Sequence, residues 1–170
     1  MHINRFLPVI AAAVVSISLL SCGDDKEKEP EQPDGAESVT NWSAVSGRYL
    51  TKPSVSQYSY GIRYMEAKGL QVKKNIVFYY PSVSNSKYIE PDIPEIFPGF
   101  SGGESSWKNE VGDWYSFGVS LSAGRLLVMD DNWNPSGDYM LISREGIEYN
   151  GEMYYRPDVF NANIDRWAAQ

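Results

Sequence analysis

The chain has 170 residues, 42% of them apolar and 22% charged, and a formal net charge of −7. With no stripe of lysine and arginine to set against that acidity, it has no electrostatic footprint for nucleic acid. The only histidine is His2 and the only cysteine is Cys22, which excludes imidazole-dependent nucleophilic catalysis and His/Cys zinc centres from the rest of the chain.

The first element is a signal. Residues 1–5 carry one fixed positive charge, and residues 6–20 are apolar apart from Pro8, Ser16 and Ser18. About fifteen apolar residues fall short of the about twenty that a bilayer crossing needs. A basic start, a short apolar middle and small residues before a cut describe a secretory signal. Leu19-Leu20-Ser21-Cys22 resembles the lipobox of bacterial lipoproteins. That resemblance implies cleavage after Ser21, a diacylglycerol thioether on Cys22 and acylation, such as palmitate, of the new amino terminus. Residues 1–21 are thus read as a lipoprotein signal peptide and Cys22 as the lipidation site. Each buried methylene contributes about 0.8 kcal/mol, so several acyl chains hold a protein on a membrane.

Residues 22–40 read as the lipidated cysteine and a disordered tether. Between Gly23 and Ser38 stand seven acids, two lysines and two prolines, and no large apolar side chain appears before Val39. Such a stretch buries too little surface to offset its ordering entropy. At about 3.3 Å per residue it reaches at most about 50 Å. Gly23 follows the cysteine where an inner-membrane retention signal of enteric bacteria would have Asp. The acidic cluster resembles the surface-export signal of some gut Gram-negative lipoproteins. Both resemblances imply the outer membrane, on its surface or periplasmic leaflet.

Residues 41–170 read as one all-β domain. Tyr58, Tyr60, Ile62 and Tyr64 alternate with smaller or polar residues, as do Leu70, Val72, Ile76, Phe78 and Tyr80, and Tyr115, Phe117, Val119 and Leu121. A period of two rich in aromatic and β-branched residues predicts half-buried strands. Leu126-Leu127-Val128-Met129 is a continuous apolar run and predicts a strand buried on both faces. Residues 139–143 read as a further strand. Ser122-Ala123-Gly124 predicts a turn, and Asn150-Gly151 a type I′ hairpin pairing Tyr149 with Glu152 and Ile147 with Tyr154. Residues 158–168 predict a short C-terminal helix with Val159, Phe160, Ile164 and Trp167 toward the core. Residues 81–106 break the rhythm with four prolines. Their apolar content predicts a loop packed down over one end of the domain, with an edge strand over residues 87–90; a lid or partner-binding loop is the functional alternative.

The fold class is therefore all-β, a single antiparallel domain, barrel in preference to sandwich. The segment 42–49, with Gly47-Arg48-Tyr49, resembles the opening Gly-x-Trp/Tyr stretch of lipocalin-like lipoproteins, although Trp42 precedes the glycine. Residues 147–156, ending Tyr154-Tyr155-Arg156, are similar to their closing hairpin. This resemblance covers about a fifth of the chain and implies a lipocalin-like barrel.

Candidate sites follow from aromatic and carboxylate placement. Trp114 lies on the strand face opposite the apolar stripe. With Trp107 and Trp133 it would form a platform for sugar rings, flanked by Asp131, Asn132 and Asn134; the alternative is three tryptophans closing a small core. Residues 130–138 carry oxygen donors in the manner of a calcium loop, but Pro135 and Leu141 occupy positions that such a loop gives to glycine and glutamate, so an Asx-rich turn is the better reading. Glu110 with Asp113, or Asp130 with Asp131, are the candidate glycosidase carboxylates. Phosphate-loop and dinucleotide fingerprints are missing from the sequence, and neither a metal nor a cofactor is expected. Together these features describe a non-catalytic, membrane-anchored ligand-binding module, taking a small apolar molecule in a barrel mouth or a glycan on exposed aromatics. An envelope-protein accessory subunit and a carboxylate-dependent glycan hydrolase are the alternatives.

Overall fold

The computed structural model describes Val39 and residues 41–57, 63–86, 89, 92–102 and 106–170. The signal peptide, Cys22 and the tether up to Ser38 lie outside the described residues. So do Tyr58, Tyr60 and Ile62 of the first predicted strand, and Lys87, Tyr88 and Glu90 of the predicted edge strand.

The strands are β1 (Gly47–Thr51), β2 (Ser54–Gln57), β3 (Arg63–Lys73), β4 (Ile76–Asn85), β5 (Tyr115–Ser122), β6 (Arg125–Met129), β7 (Pro135–Ile142), β8 (Gly146–Tyr149) and β9 (Glu152–Tyr155). From β3 to β9 each pairs antiparallel with the next. β1 pairs with β9 on one side and β3 on the other, which closes an eight-stranded, up-and-down, lipocalin-like barrel. β2 continues beyond Lys52-Pro53 along the other half of β3. Pro53 has no N–H for a ladder, so the chain steps there between two short strands. Helix α1 (Pro157–Trp167) follows β9.

Tight turns set the meander. Ala123 and Gly124 (φ 42° and 78°) and Asn150 and Gly151 (φ 52° and 75°) take the positive dihedrals of two-residue hairpins. The last hairpin pairs Tyr149 with Glu152 and Ile147 with Tyr154, as the sequence predicts. One turn corrects the sequence reading. Residues 70–80 are not one strand, because the chain reverses at Lys74-Asn75 between β3 and β4. The reversal also changes which positions face inward. Val77 is buried, whereas Ile76 is 39% exposed.

Two cores result. The barrel interior holds Val45, Tyr49, Leu70, Val72, Val77, Val119, Leu126, Met140, Ile142, Ile147 and Tyr154, and Val39 joins them. The second lies outside the barrel wall. Leu50, Met65, Ala67 and Val83 face outward and are covered by Phe97, Phe100 and Trp107 together with Phe160, Ile164 and Trp167 of α1. Val159, expected with them, is only half-buried. The helix carries Pro at its first turn with Asp158, and Arg166 in its last, matching the macrodipole.

Residues 81–106 are partly redrawn. β4 runs to Asn85 and contains Pro81. The loop beyond it packs down, burying Ile89, Phe97 and Phe100, but Phe97 and Phe100 lie against the outer wall rather than over one end. Gly69 makes this possible: a Cβ there would lie 2.3 Å from the Phe97 ring. The β6 expectation is also corrected. Leu126 is buried, but Leu127, Val128 and Met129 are only half-buried, because neither the helix nor the described part of the loop covers this side of the barrel.

One barrel end is sealed by a 3-10 turn over Trp42–Ala44, capped by the Asn41 side chain, which accepts from the Ser43 and Ala44 N–H groups. The Tyr49 hydroxyl donates to the Val45 carbonyl. Arg156 donates to the Ala44 carbonyl at 3.1 Å and places its guanidinium 5.6 Å from the Tyr49 ring centre. The two segments that resemble lipocalin-like lipoproteins thus meet at this end.

Candidate functional site at the barrel mouth

The opposite end is open. A cavity of about 350 Å³ is lined by Lys68, Tyr79, Phe117, Tyr149, Asn150, Glu152 and Tyr154. The Asn150-Gly151 turn places Tyr149 and Glu152 across from each other, and the strand period turns Tyr154 inward one step deeper. Lys68 comes from β3, which only β1 separates from β9. The β3–β4 register shifts between Ala67 and Gly69, next to Pro81, which cannot donate to the ladder. The Lys68 N–H is taken instead by Thr51 Oγ1 at 3.0 Å.

These elements converge on Glu152. Lys68 Nζ donates to its two carboxylate oxygens at 2.7 and 2.8 Å. The Tyr154 hydroxyl donates a longer bond to Oε2 at 3.4 Å. Lys68 and Glu152 are each 42% exposed at the side chain, so a ligand entering the mouth reaches both. Tyr79 stacks on Tyr115 with ring centres 6.3 Å apart, and Phe117 tilts against Tyr149 at 5.9 Å. Below them the interior is filled by Val72, Val77, Val119, Leu126, Met140 and Ile147. The site is a shallow bowl with aromatic walls, a donor–acceptor cluster in its side and no deep apolar shaft.

The electrostatics are clear in direction. The hydrogen bond that Lys68 donates to Glu152 raises the Lys68 pKa and outweighs the lowering by burial. Burial raises the Tyr154 phenol far above its ordinary value, and Tyr79 and Glu152 add to this. Lys68 therefore stays a cation and Tyr154 a neutral phenol. Tyr49 and Tyr80 are raised too, chiefly by burial. A raised phenol stabilises the fold fully below the unfolded value of 10.0; above it the unfolded chain loses the proton first. The urea midpoint is thus expected to hold up to about pH 10 and to fall beyond it. An unchanged midpoint at about pH 11 would show these phenols to be solvated.

The sequence-predicted platform residues separate. Trp107 is wholly buried in the outer core, its indole N–H donating to the Ser101 carbonyl at 3.1 Å, and is removed from the platform. Trp114 and Trp133 are each 54% exposed. Trp114 leans on Phe78 with centres 5.8 Å apart. Trp133 and Asp131 line a groove of about 330 Å³ on the outer wall, with Asp130, Ile76, Ser116 and Gly118. The Asn132 and Asn134 N–H groups both donate to Asp130 Oδ1, at 2.9 and 2.8 Å, so this segment is an Asx-organised turn. Among the described residues no group of three or more His, Cys, Asp or Glu is placed to hold a metal. Asp113 sits with Glu110 in an exposed connection where the Asn109 amide donates to its carbonyl at 3.1 Å. The sequence alone does not mark the mouth residues as a site. The hairpin register already placed Tyr149, Glu152 and Tyr154, but no pattern in the sequence brings Lys68 and Tyr79 to them.

No protein-family model, curated protein or solved structure matches the chain.

Proposed function

We propose that the chain is an outer-membrane lipoprotein, anchored through Cys22, whose barrel mouth binds a small polyhydroxylated ring such as a sugar residue, without catalysis. The observation that carries this reading is Glu152 holding Lys68 and Tyr154 inside a bowl of aromatic rings. Such a site offers a cation, a phenol, a carboxylate and the Asn150 amide to hydroxyl groups. Tyr79, Phe117 and Tyr149 offer ring faces to the C–H side of the ligand. A long apolar molecule fits less well, because the interior beneath the bowl is already packed. A Lys68 held charged and a Tyr154 held neutral are poor nucleophiles, which favours binding over catalysis. The loop over residues 81–106 buries Phe97 and Phe100 within its own domain, so docking of an envelope partner gains no support there.

The test is a fluorescence titration of the full chain in detergent with neutral monosaccharides and, separately, fatty acids. A saturable response to a sugar is expected, weakened about tenfold or more by Lys68→Met, since hydrogen bonds to charged groups contribute about 1.5–3 kcal/mol. Stability should change by no more than about 1 kcal/mol, as for a half-exposed ion pair. A response to fatty acids alone, indifferent to Lys68, would falsify the sugar assignment. For the anchor, Cys22→Ala is expected to move the protein from the membrane to the soluble fraction; retention on membranes would remove the lipid attachment.

A further inference from the structure

Among the described residues, the helix and the loop cover one side of the barrel. The uncovered outer wall, around β5 and the β6–β7 turn, carries features the mouth does not use. β5 presents Ser116 and Gly118 outward, opposite Phe78 and Ile76 of β4. Ser116 and Gly118 are small, so this part of the wall is low. Trp133 lines the groove, and Trp114 stands beyond that lining, just before β5. Trp114 precedes β5 and rests on Phe78, and Trp133 folds back over Gly118. A Cβ on Gly118 would lie 3.2 Å from the Trp133 ring, so the absence of a side chain sets how closely the indole approaches. Trp133 adopts a φ of 60°, a left-handed conformation that bulky residues rarely take. It is held there by its N–H donating to the Asp130 carbonyl at 3.0 Å and by the Asp130 side chain bonding the flanking amides.

From these observations we propose that this outer groove is a second binding site, taking a neutral, extended oligosaccharide. Trp114 and Gly118 are four residue steps apart in extended chain, a span of about 13 Å. That length suits a chain of sugars lying along β5, each end stacked on an indole. Asp130 and Asp131 at the Trp133 end accept hydrogen bonds from hydroxyl groups, and the Ser116 hydroxyl lies on the floor between. The charge of the lining selects the ligand. Among the described residues, the lining at the Trp133 end contains two carboxylates and no lysine or arginine, so phosphate, uronate and sulfate esters are repelled there. At the Trp114 end, Lys73 sits 5.3 Å from the centre of the Phe78 ring. The mouth and the groove differ in this respect, since a cation forms part of the mouth. This inference stands apart from the mouth assignment: the groove holds a polymer chain whether or not the mouth holds a single ring.

Affinity electrophoresis of the full chain in detergent tests it. The gels contain a neutral glucan, mannan, xylan or galactan, and polygalacturonate serves as the anionic comparison. Retardation by at least one neutral polymer is expected, with none by polygalacturonate. Trp114→Ala and Trp133→Ala should each weaken it about tenfold or more, as loss of a central tryptophan does at binding surfaces. Gly118→Ala, which pushes the Trp133 ring outward, should weaken it as well. All three variants should unfold at the parent's urea midpoint and keep the parent's monosaccharide titration at the mouth. The proposal is overturned if no neutral polymer retards the parent, or if only the anionic polymer does. It is equally overturned if both tryptophan variants are retarded like the parent, or if Lys68→Met abolishes the retardation, which would place the polymer in the mouth.

Discussion

Trp107→Ala is expected to destabilise the domain by about 3–5 kcal/mol, the range for truncating a buried large aromatic side chain. Whole domains are stable by only about 5–15 kcal/mol, so this is among the largest single-residue effects the fold allows. The reason is position. Trp107 is fully buried where the loop meets the helix, edge-on to Phe160 with ring centres 5.6 Å apart. Phe160 in turn packs edge-to-face on Phe100 at 5.2 Å and on Trp167 at 5.6 Å. The Trp107 carbonyl accepts from the Ile96 N–H at 3.2 Å, and the next residue, Lys108, bridges to both Ser84 and Glu95. Removing the indole therefore opens a void that rigid rings cannot close, and it also leaves the Ser101 carbonyl without its donor. The urea midpoint should fall steeply. The mouth, on the inner side of the wall and lined by none of these residues, should keep its ligand affinity under conditions where the variant is folded. A midpoint equal to the parent's would mean that Trp107 is solvated, and it would return this residue to the aromatic platform from which the outer core removes it.

That tryptophan also shows where the sequence stops being informative. Local chemistry is legible when one residue type answers one backbone need. Asn150-Gly151 and Ala123-Gly124 sit at positive φ, and the first pair fixes the β8–β9 register before any tertiary contact is known. The amphipathic spacing of Phe160, Ile164 and Trp167 likewise locates the helix and its buried face. The turn at Lys74-Asn75 is hidden for the opposite reason. Leu70, Val72, Ile76, Phe78 and Tyr80 all stand at even positions, so the apolar alternation continues through the reversal. Only in the barrel does Val77 prove to be the inward residue. Trp107, Trp114 and Trp133 are indistinguishable by composition. Their fates are decided by whether α1 and the loop cover the wall beneath them, and that is a property of the closed sheet. The mouth is half legible: Tyr149, Glu152 and Tyr154 follow from the hairpin, but Lys68 reaches Glu152 across 84 residues of sequence through a register shift that only ring closure reveals.

Gly146→Ala is expected to cost about 3 kcal/mol or more, at or above the upper end of ordinary overpacking. A Cβ built at Gly146 would lie 1.9 Å from the Tyr154 carbonyl oxygen, 2.9 Å from its carbon and 3.0 Å from the Tyr155 Cα. All three are backbone atoms, so no rotamer change relieves the clash, and β8 and β9 must separate. Gly146 pairs with Tyr155 and Ile147 with Tyr154. Those same two β9 residues pair with Leu50 and Thr51 of β1, where the ring closes. Outside the wall, Tyr155 packs on Trp167 with ring centres 4.9 Å apart. Displacing β9 thus loosens the barrel seam and the helix contact together. It also moves Glu152 and Tyr154, which sit on the same strand and form the polar cluster of the mouth. Stability and mouth affinity should therefore fall together in Gly146→Ala, whereas Lys68→Met lowers affinity with little loss of stability. Glu148→Ala, an exposed neighbour on β8, is the control and should remain within about 0.5 kcal/mol of the parent. If Gly146→Ala unfolds at the parent's midpoint and binds the same sugar equally well, then β8 and β9 are not packed as described, and the cluster built on Glu152 loses its foundation.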